Sequence, residues 1–194
     1  MREPVRRLRA MTKMVLTAIT ATCLSSTAAH AFDGWDWTVE GGYLWGMRLN
    51  TKNDYEMAPV LLTLRSPATL EFGDWVVRSR FSALAASFTR GPEDYYTGLL
   101  AAPSIERNID AIDTTLLFSI GGGIGLTNSS GGNNGLGHDF TLNWFAQGGI
   151  HQRLTETIDW QASVFFLHLS NGARTDPNPA VDALGFTLGV TRRF

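Results

Sequence analysis

The chain has 194 residues, 44% of them hydrophobic, with 20 glycines, six tryptophans and a formal net charge of −2. That length suits one domain, and a near-neutral charge with no basic run argues against nucleic acid as a partner. Cys23 is the only cysteine, so the chain has no disulfide framework, and after residue 31 no stretch approaches the ~20 apolar residues of a membrane helix.

The first segment reads as an address. Arg2, Arg6, Arg7, Arg9 and Lys13 form a basic head, Met14 to Leu24 an apolar run, and Ala29-His30-Ala31 a site with small residues where a signal peptidase reads. This is the pattern of a secretory signal peptide over residues 1–31, with the mature domain at 32–194. Cys23 falls inside that signal, and Thr20-Ala21-Thr22 before it is a poor lipobox.

The mature domain alternates with period two and shows no helical periodicity. From Trp37 the odd positions are Trp37, Val39, Gly41, Tyr43, Trp45, Met47 and Leu49, while the even ones are small or polar. The same sorting returns at Leu116, Phe118, Ile120, Ile124 and Leu126, then at Phe140, Leu142, Trp144, Ala146 and Ile150, and finally at Leu184, Phe186, Leu188 and Val190. Segments near 55–66, 74–90 and 93–108 are strand-like with less clearly sorted faces. The pattern predicts eight strands, near 35–49, 55–66, 74–90, 93–108, 112–127, 137–152, 157–169 and 181–194. The turn at 67–73 is long for its place.

A β-sandwich also alternates, so three further features decide which face meets what. The segments run about 10–16 residues, against about 5–6 for strands of soluble domains. The second face is rich in Gly, Thr and Ser, which suits the crowded interior of a small barrel. The chain also closes on Phe194, like the terminal aromatic that outer-membrane proteins present to the barrel assembly machinery. The expectation is all-β: an eight-stranded antiparallel transmembrane up-and-down barrel in the outer membrane, apolar face to lipid. A barrel of that size is filled by its side chains, so a solute channel is not expected. With both termini in the periplasm, the long polar connections at 127–135 and 171–180 face outward.

Strand seven carries the chemistry. Trp160, Ala162, Val164, Phe166, His168 and Ser170 share the lipid face, and Asp182 opens the lipid face of strand eight. Residues two apart lie roughly 6.5 Å from one another along a strand, and antiparallel pairing without a bulge keeps Asp182 on the same face as His168 and Ser170. A hydroxyl, an imidazole and a carboxylate so arranged are a nucleophile, a base and an orienter of the base. The bland alternative is three ordinary rim residues meeting headgroups and water. A charge on the lipid face costs roughly 0–1 kcal/mol near the interface and more toward the midplane.

His168-Leu169-Ser170-Asn171-Gly172, followed by Asp176-Pro177-Asn178-Pro179 and Asp182, resembles the active-site segment of the lipid A deacylases, the outer-membrane 3-O-deacylase or acyloxyacyl hydrolase family. Ala102-Pro103-Ser104 and the glycines at 121–125 extend the resemblance weakly. It implies that Ser170 attacks the 3-O-acyl ester of lipid A, that His168 moves the proton, and that Asp182 fixes the imidazole. It further implies that Asn178, with Asn171 or the backbone N–H of Gly172, supplies the oxyanion donors. The family's acid is typically Glu, one methylene longer than Asp182; Asp176 is a second candidate acid, in the loop. No cofactor or metal is implied. The partners implied are lipid A or lipopolysaccharide as substrate, the surrounding outer-membrane lipids, and room for a homodimer.

Other residues have plainer readings. His138 and His151 lack metal-ligand spacing and read as loop and lumen respectively. Glu40, Arg48, Glu106 and Arg107 could pair inside the barrel, and Gly121-Gly122-Gly123-Ile124-Gly125, with no helix after it, reads as tight strand packing. Trp35, Trp37, Trp45, Trp75, Trp144 and Trp160 read as interface or lipid-facing anchors. A phospholipid esterase and a non-catalytic barrel for adhesion or membrane integrity are the competing functions.

Overall fold

The computed structural model describes residues 34–47, 54–129, 135–175 and 180–194, and the predicted signal peptide lies outside them. Eight antiparallel strands form one closed barrel in chain order. They are β1 Asp36–Met47, β2 Glu56–Phe72, β3 Trp75–Arg90, β4 Tyr95–Ile109, β5 Thr114–Thr127, β6 Phe140–Arg153, β7 Ile158–Ser170 and β8 Val181–Arg193. β1 pairs with β8 from Asp36↔Arg193 to Met47↔Asp182, so no edge is left open. Closure satisfies the backbone groups that an apolar surround could not.

Side-chain parity follows the expected alternation. Leu116, Phe118, Ile120, Ile124 and Leu126 on β5, and Leu184, Phe186, Leu188 and Val190 on β8, are exposed around the outside. The interior divides into two halves. At the end where β1 starts and β8 finishes (the turn end), Asp36, Thr38, Glu40, Arg65, Arg80, Glu106, Gln147, His151 and Gln161 are buried together. At the opposite end (the loop end), Leu44, Met57, Leu61, Phe88, Tyr96, Phe145, Phe165, Leu167 and Leu169 form an apolar core. The charges of the polar half are paired: Arg65 Nε meets Asp36 at 2.7 Å, and Arg80 lies 3.6 Å from Glu40. Glu40 also accepts bonds from Gln147 at 2.7 Å, Gln161 at 3.1 Å and Thr187 at 2.7 Å. Such pairing offsets the several kcal/mol that each buried ion loses on leaving water.

Pro59 and Pro103 interrupt the ladder without shifting it. The β1–β2 pairing skips from Gly41↔Val60 to Leu44↔Met57 across Pro59, and the β4–β5 pairing skips from Ala101↔Gly122 to Ser104↔Ser119 across Pro103. Proline has no N–H to give, yet the register resumes unchanged on either side. Glycines at 121, 123 and 125 serve close approach: a Cβ at Gly123 would fall 1.8 Å from the Leu99 carbonyl oxygen.

The expected long turn at 67–73 is a correction. β2 continues to Phe72, and only Gly73 and Asp74 separate it from β3. Register shifts between Arg65 and Ala68, where Ser66 and Pro67 face Ser79, and between Ala68 and Leu70, where Thr69 is extra, are bulges that keep the hairpin paired. Ser66 Oγ accepts from the Ser79 N–H at 2.9 Å, replacing a ladder bond. A turn-rich stretch is thus a bulged strand. Conversely, Asp110–Ile112 is a 3₁₀ turn and Asp113 is left-handed at φ 48°, so β5 opens at Thr114 rather than 112.

Candidate active site

β7 and β8 place the three expected residues at the loop end. Their pairing sets His168 directly opposite Asp182, so no reach along the strand is needed. His168 Nδ1 lies 2.8 Å from Asp182 Oδ1. The imidazole side chain is 19% exposed and the carboxylate 4%. An ionised carboxylate only accepts, so Nδ1 carries the proton of the neutral ring and the Nε2 lone pair faces away from the acid. On the other flank β6 pairs Trp144 with His168. The indole stacks on the imidazole at 5.7 Å between centroids and 29° between planes. Carboxylate on one side and indole on the other hold the ring's orientation.

Ser170 is the last residue of β7, on the same outward face, opposite Leu142 of β6. Among the described residues no hydrogen bond joins its hydroxyl to the ring, and the imidazole's described bond is the one to Asp182. Nucleophile–base hydrogen bonds are commonly long without substrate, and Ser170 stands two residues beyond His168 on the same face.

Beyond Ser170 the chain turns sharply. Gly172 and Ala173 both have positive φ, 65° and 58°, a conformation that costs a non-glycine residue such as Ala173 about 1–2 kcal/mol. Asn171 follows odd parity and points inward, fully buried. Its Nδ2 donates to the Leu136 carbonyl at 3.0 Å and to Thr175 Oγ1 at 2.8 Å. The amide protons of this expected oxyanion donor thus bond the neighbouring loop. Leu136 is held from its other side by Glu93, whose Oε1 accepts the Leu136 N–H at 2.5 Å. A continuous clasp thus runs from the β3–β4 loop through Leu136 to the residue beside Ser170. Asp176 and Asn178 lie outside the described residues.

The profile of the lipid A 3-O-deacylase (PagL) family matches residues 29–191. The chain belongs to that family. The solved structure of the outer membrane enzyme PagL superposes with a TM-score of 0.59 at 14% identity, covering 82% of this chain and 99% of that one. Neisserial surface protein A superposes with a TM-score of 0.52 at 11% identity, covering 84% and 98%. At such identities these likenesses concern the fold. No curated protein matches in sequence. The barrel, its apolar exterior and the PagL family match make it an outer-membrane protein.

Within this deacylase-family barrel the remaining candidates take plain roles. His151 lies in the lumen, with Nε2 2.9 Å from Arg65 Nη1. His138 is in the β5–β6 loop and accepts the Phe140 N–H. Glu40 and Glu106 pair inside as expected, but Arg107 does not: it is outward, 3.2 Å from Asp74 and over the Trp75 ring at 5.6 Å. Its odd position on β4 is an outward one, which explains the correction. Arg48 lies outside the described residues. Among the described residues no group of three or more His, Cys, Asp or Glu could hold a metal ion. Two contributors escape a reading of the sequence. Trp144 is legible there only as a lipid-facing anchor, although strand register alone would set it opposite His168. Arg174, which rests on the Phe140 ring, has no signal in spacing.

Proposed function

We propose that this barrel is a lipid A 3-O-deacylase that uses Ser170 as nucleophile, His168 as base and Asp182 as the acid that fixes the ring. The observation that carries the reading is the directly opposed His168–Asp182 pair, 2.8 Å apart on the outward face, with Ser170 two residues farther on. A polar trio there has little purpose for the fold, since the lumen already contains its own closed network, whereas an ester of an outer-leaflet lipid arrives from that side.

In this reading Ser170 Oγ attacks the 3-O-acyl carbonyl as its proton moves to His168 Nε2. The ester C–O bond then breaks, and the imidazolium returns that proton to the departing sugar oxygen. Water, deprotonated by the same nitrogen, attacks the acyl-serine carbonyl; the acyl–Oγ bond breaks, the fatty acid leaves, and the imidazolium returns its proton to Ser170 Oγ. Asp182 keeps Nδ1 protonated and stabilises the imidazolium. With the amide of Asn171 committed to Leu136 and Thr175, the oxyanion falls to Asn178 and the Gly172 N–H, the two donors left from the family pattern. Such donors are worth about 10²–10³ in rate.

Mass spectrometry of lipid A and phospholipids from cells expressing the wild type and Ser170→Ala tests this. The wild type is expected to remove one ester-linked acyl chain from lipid A and leave phospholipids intact. Ser170→Ala is expected to leave lipid A whole, its barrel still shifting on a gel with heating. Equal deacylation by both proteins sinks the triad, and loss of phospholipid acyl chains alone assigns the site to another ester.

A further inference from the structure

The turn after Ser170 does something that neither the triad nor the lumen requires. It leaves the strand through two left-handed residues, Gly172 and Ala173, and lays Arg174 back across the outer wall. The guanidinium sits over the Phe140 ring, 4.3 Å from its centroid. Phe140 is an outward residue of β6, next but one to Leu142, which pairs with Ser170. Phe140 also borders an apolar groove of about 470 Å³ on the lipid face, walled by Leu99, Ile124 and Leu126.

A fixed positive charge at an apolar surface calls for a counter-ion, because low dielectric strengthens every charge pair. Elsewhere at this end the need is met internally: Arg90 is 3.2 Å from Glu56. Among the described residues Arg174 has no carboxylate partner, and its side chain rests on an aromatic ring, which orients a cation without neutralising it. Guanidinium offers a planar fork of donors suited to phosphate oxygens.

We infer that Arg174 is a substrate-positioning residue that binds a phosphate group of the acylated glycolipid whose ester meets Ser170. This deepens the proposed function and rests on it. The aromatic rest pre-orders the long side chain, so less freedom is lost on binding, and the strained turn keeps the charge on the wall rather than over the barrel mouth. The phosphate, rather than the ester, then sets where along the wall the lipid stops.

The test uses the purified full barrel in neutral detergent micelles, with bis-phosphorylated lipid A and with the same lipid stripped of both phosphates. On the phosphorylated lipid, Arg174→Ala is expected to raise KM about tenfold, the scale of one charge-assisted pair, with kcat little altered, and Arg174→Lys to recover most of the loss. On the stripped lipid the wild-type advantage is expected to fall to near one. An undiminished advantage on stripped lipid, or none on phosphorylated lipid, overturns the inference. A third arm mixes phosphatidylglycerol with stripped lipid A: if the advantage returns there, the phosphate belongs to a neighbouring lipid and the assignment to substrate fails. Ser170→Ala in the same assay reports separately on the triad, so loss of the proposed function and loss of the phosphate contact give different results.

Discussion

Two histidines on adjacent strands meet opposite fates. His151 on β6 points inward, buried against Arg65, which is itself bonded to Asp36 and 3.4 Å from Glu106. His168 on β7 points outward, bonded on one side to Asp182 and stacked on the other by Trp144. The inner ring belongs to a network that closes on itself and helps to hold eight strands together. The outer ring is held just as firmly but is left with one nitrogen free of the acid and a hydroxyl two residues away. One step of strand parity separates a structural histidine from a chemically available one.

The largest way to break this contrast is to remove the outer acid. Asp182→Asn should lower kcat for lipid A deacylation on the order of 10³-fold, because the amide no longer fixes the tautomer or stabilises the imidazolium. Melting of the barrel should change little. Asp182→Glu sharpens the comparison: the direct register brings Asp182 within 2.8 Å without the longer side chain. The family's usual acid is therefore expected to be tolerated here rather than to improve the rate. A retained rate in Asp182→Asn would detach the carboxylate from the chemistry.

The converse experiment strikes the inner network. Arg65→Leu leaves Asp36 and Glu106 buried with only Arg78 to answer both. Breaking a buried charge cluster costs about 3–5 kcal/mol, and the remaining arginine places the expectation near the lower end. Urea unfolding in micelles should show that loss, while kcat at the outer wall stays within about twofold for the folded fraction. A large fall in kcat with unchanged stability would mean that lumen and wall are coupled rather than separate.

Much of this is legible in sequence, for a physical reason. In β1, β5, β6 and β8 the outward face is bulky and the inward face mostly small or polar, so parity sorts them. β7 buries Phe165, Leu167 and Leu169 at its loop end, yet the same parity sets His168, Ser170 and Asp182 on one wall. β2, β3 and β4 resist the same treatment because their inward residues at the loop end, Met57, Leu61, Leu84, Phe88 and Leu100, are as apolar as lipid-facing ones. Both faces then look alike, and a polar-lumen expectation cannot tell an apolar core from a membrane surface. Asn171 shows a different limit: its odd index after β7 already turns it inward, where its amide bonds Leu136 and Thr175, whereas the family pattern alone offers it as an oxyanion donor. The clasp of Glu93, Leu136 and Asn171 joins residues 43 and 35 positions apart in sequence, a coupling that local periodicity does not encode.

That clasp yields the smallest expected effect and the one that separates positioning from charge. Glu93 lies in the β3–β4 loop, outside the strands. Burial pushes its carboxyl pKa up, against the lowering pull of the Leu136 N–H and the Tyr55 hydroxyl. A carboxyl whose pKa is raised on folding adds stability that is present in full below its unfolded value, and that stability is lost as pH rises through the raised one. The wild-type barrel should therefore become more resistant to urea as pH falls through this window, as far as Glu93 contributes. Glu93→Gln keeps an oxygen to accept the Leu136 N–H and removes the charge, so that slope should flatten, with deacylation at neutral pH within about twofold of wild type. Glu93→Ala leaves the Leu136 N–H without its acceptor, at a cost of about 1–3 kcal/mol, and should loosen Asn171 and with it the turn after Ser170. If alanine and glutamine behave alike in both urea and kcat, the clasp contributes nothing to the placement of the nucleophile, and the outer histidine's surroundings are ordered by β6 and β8 alone.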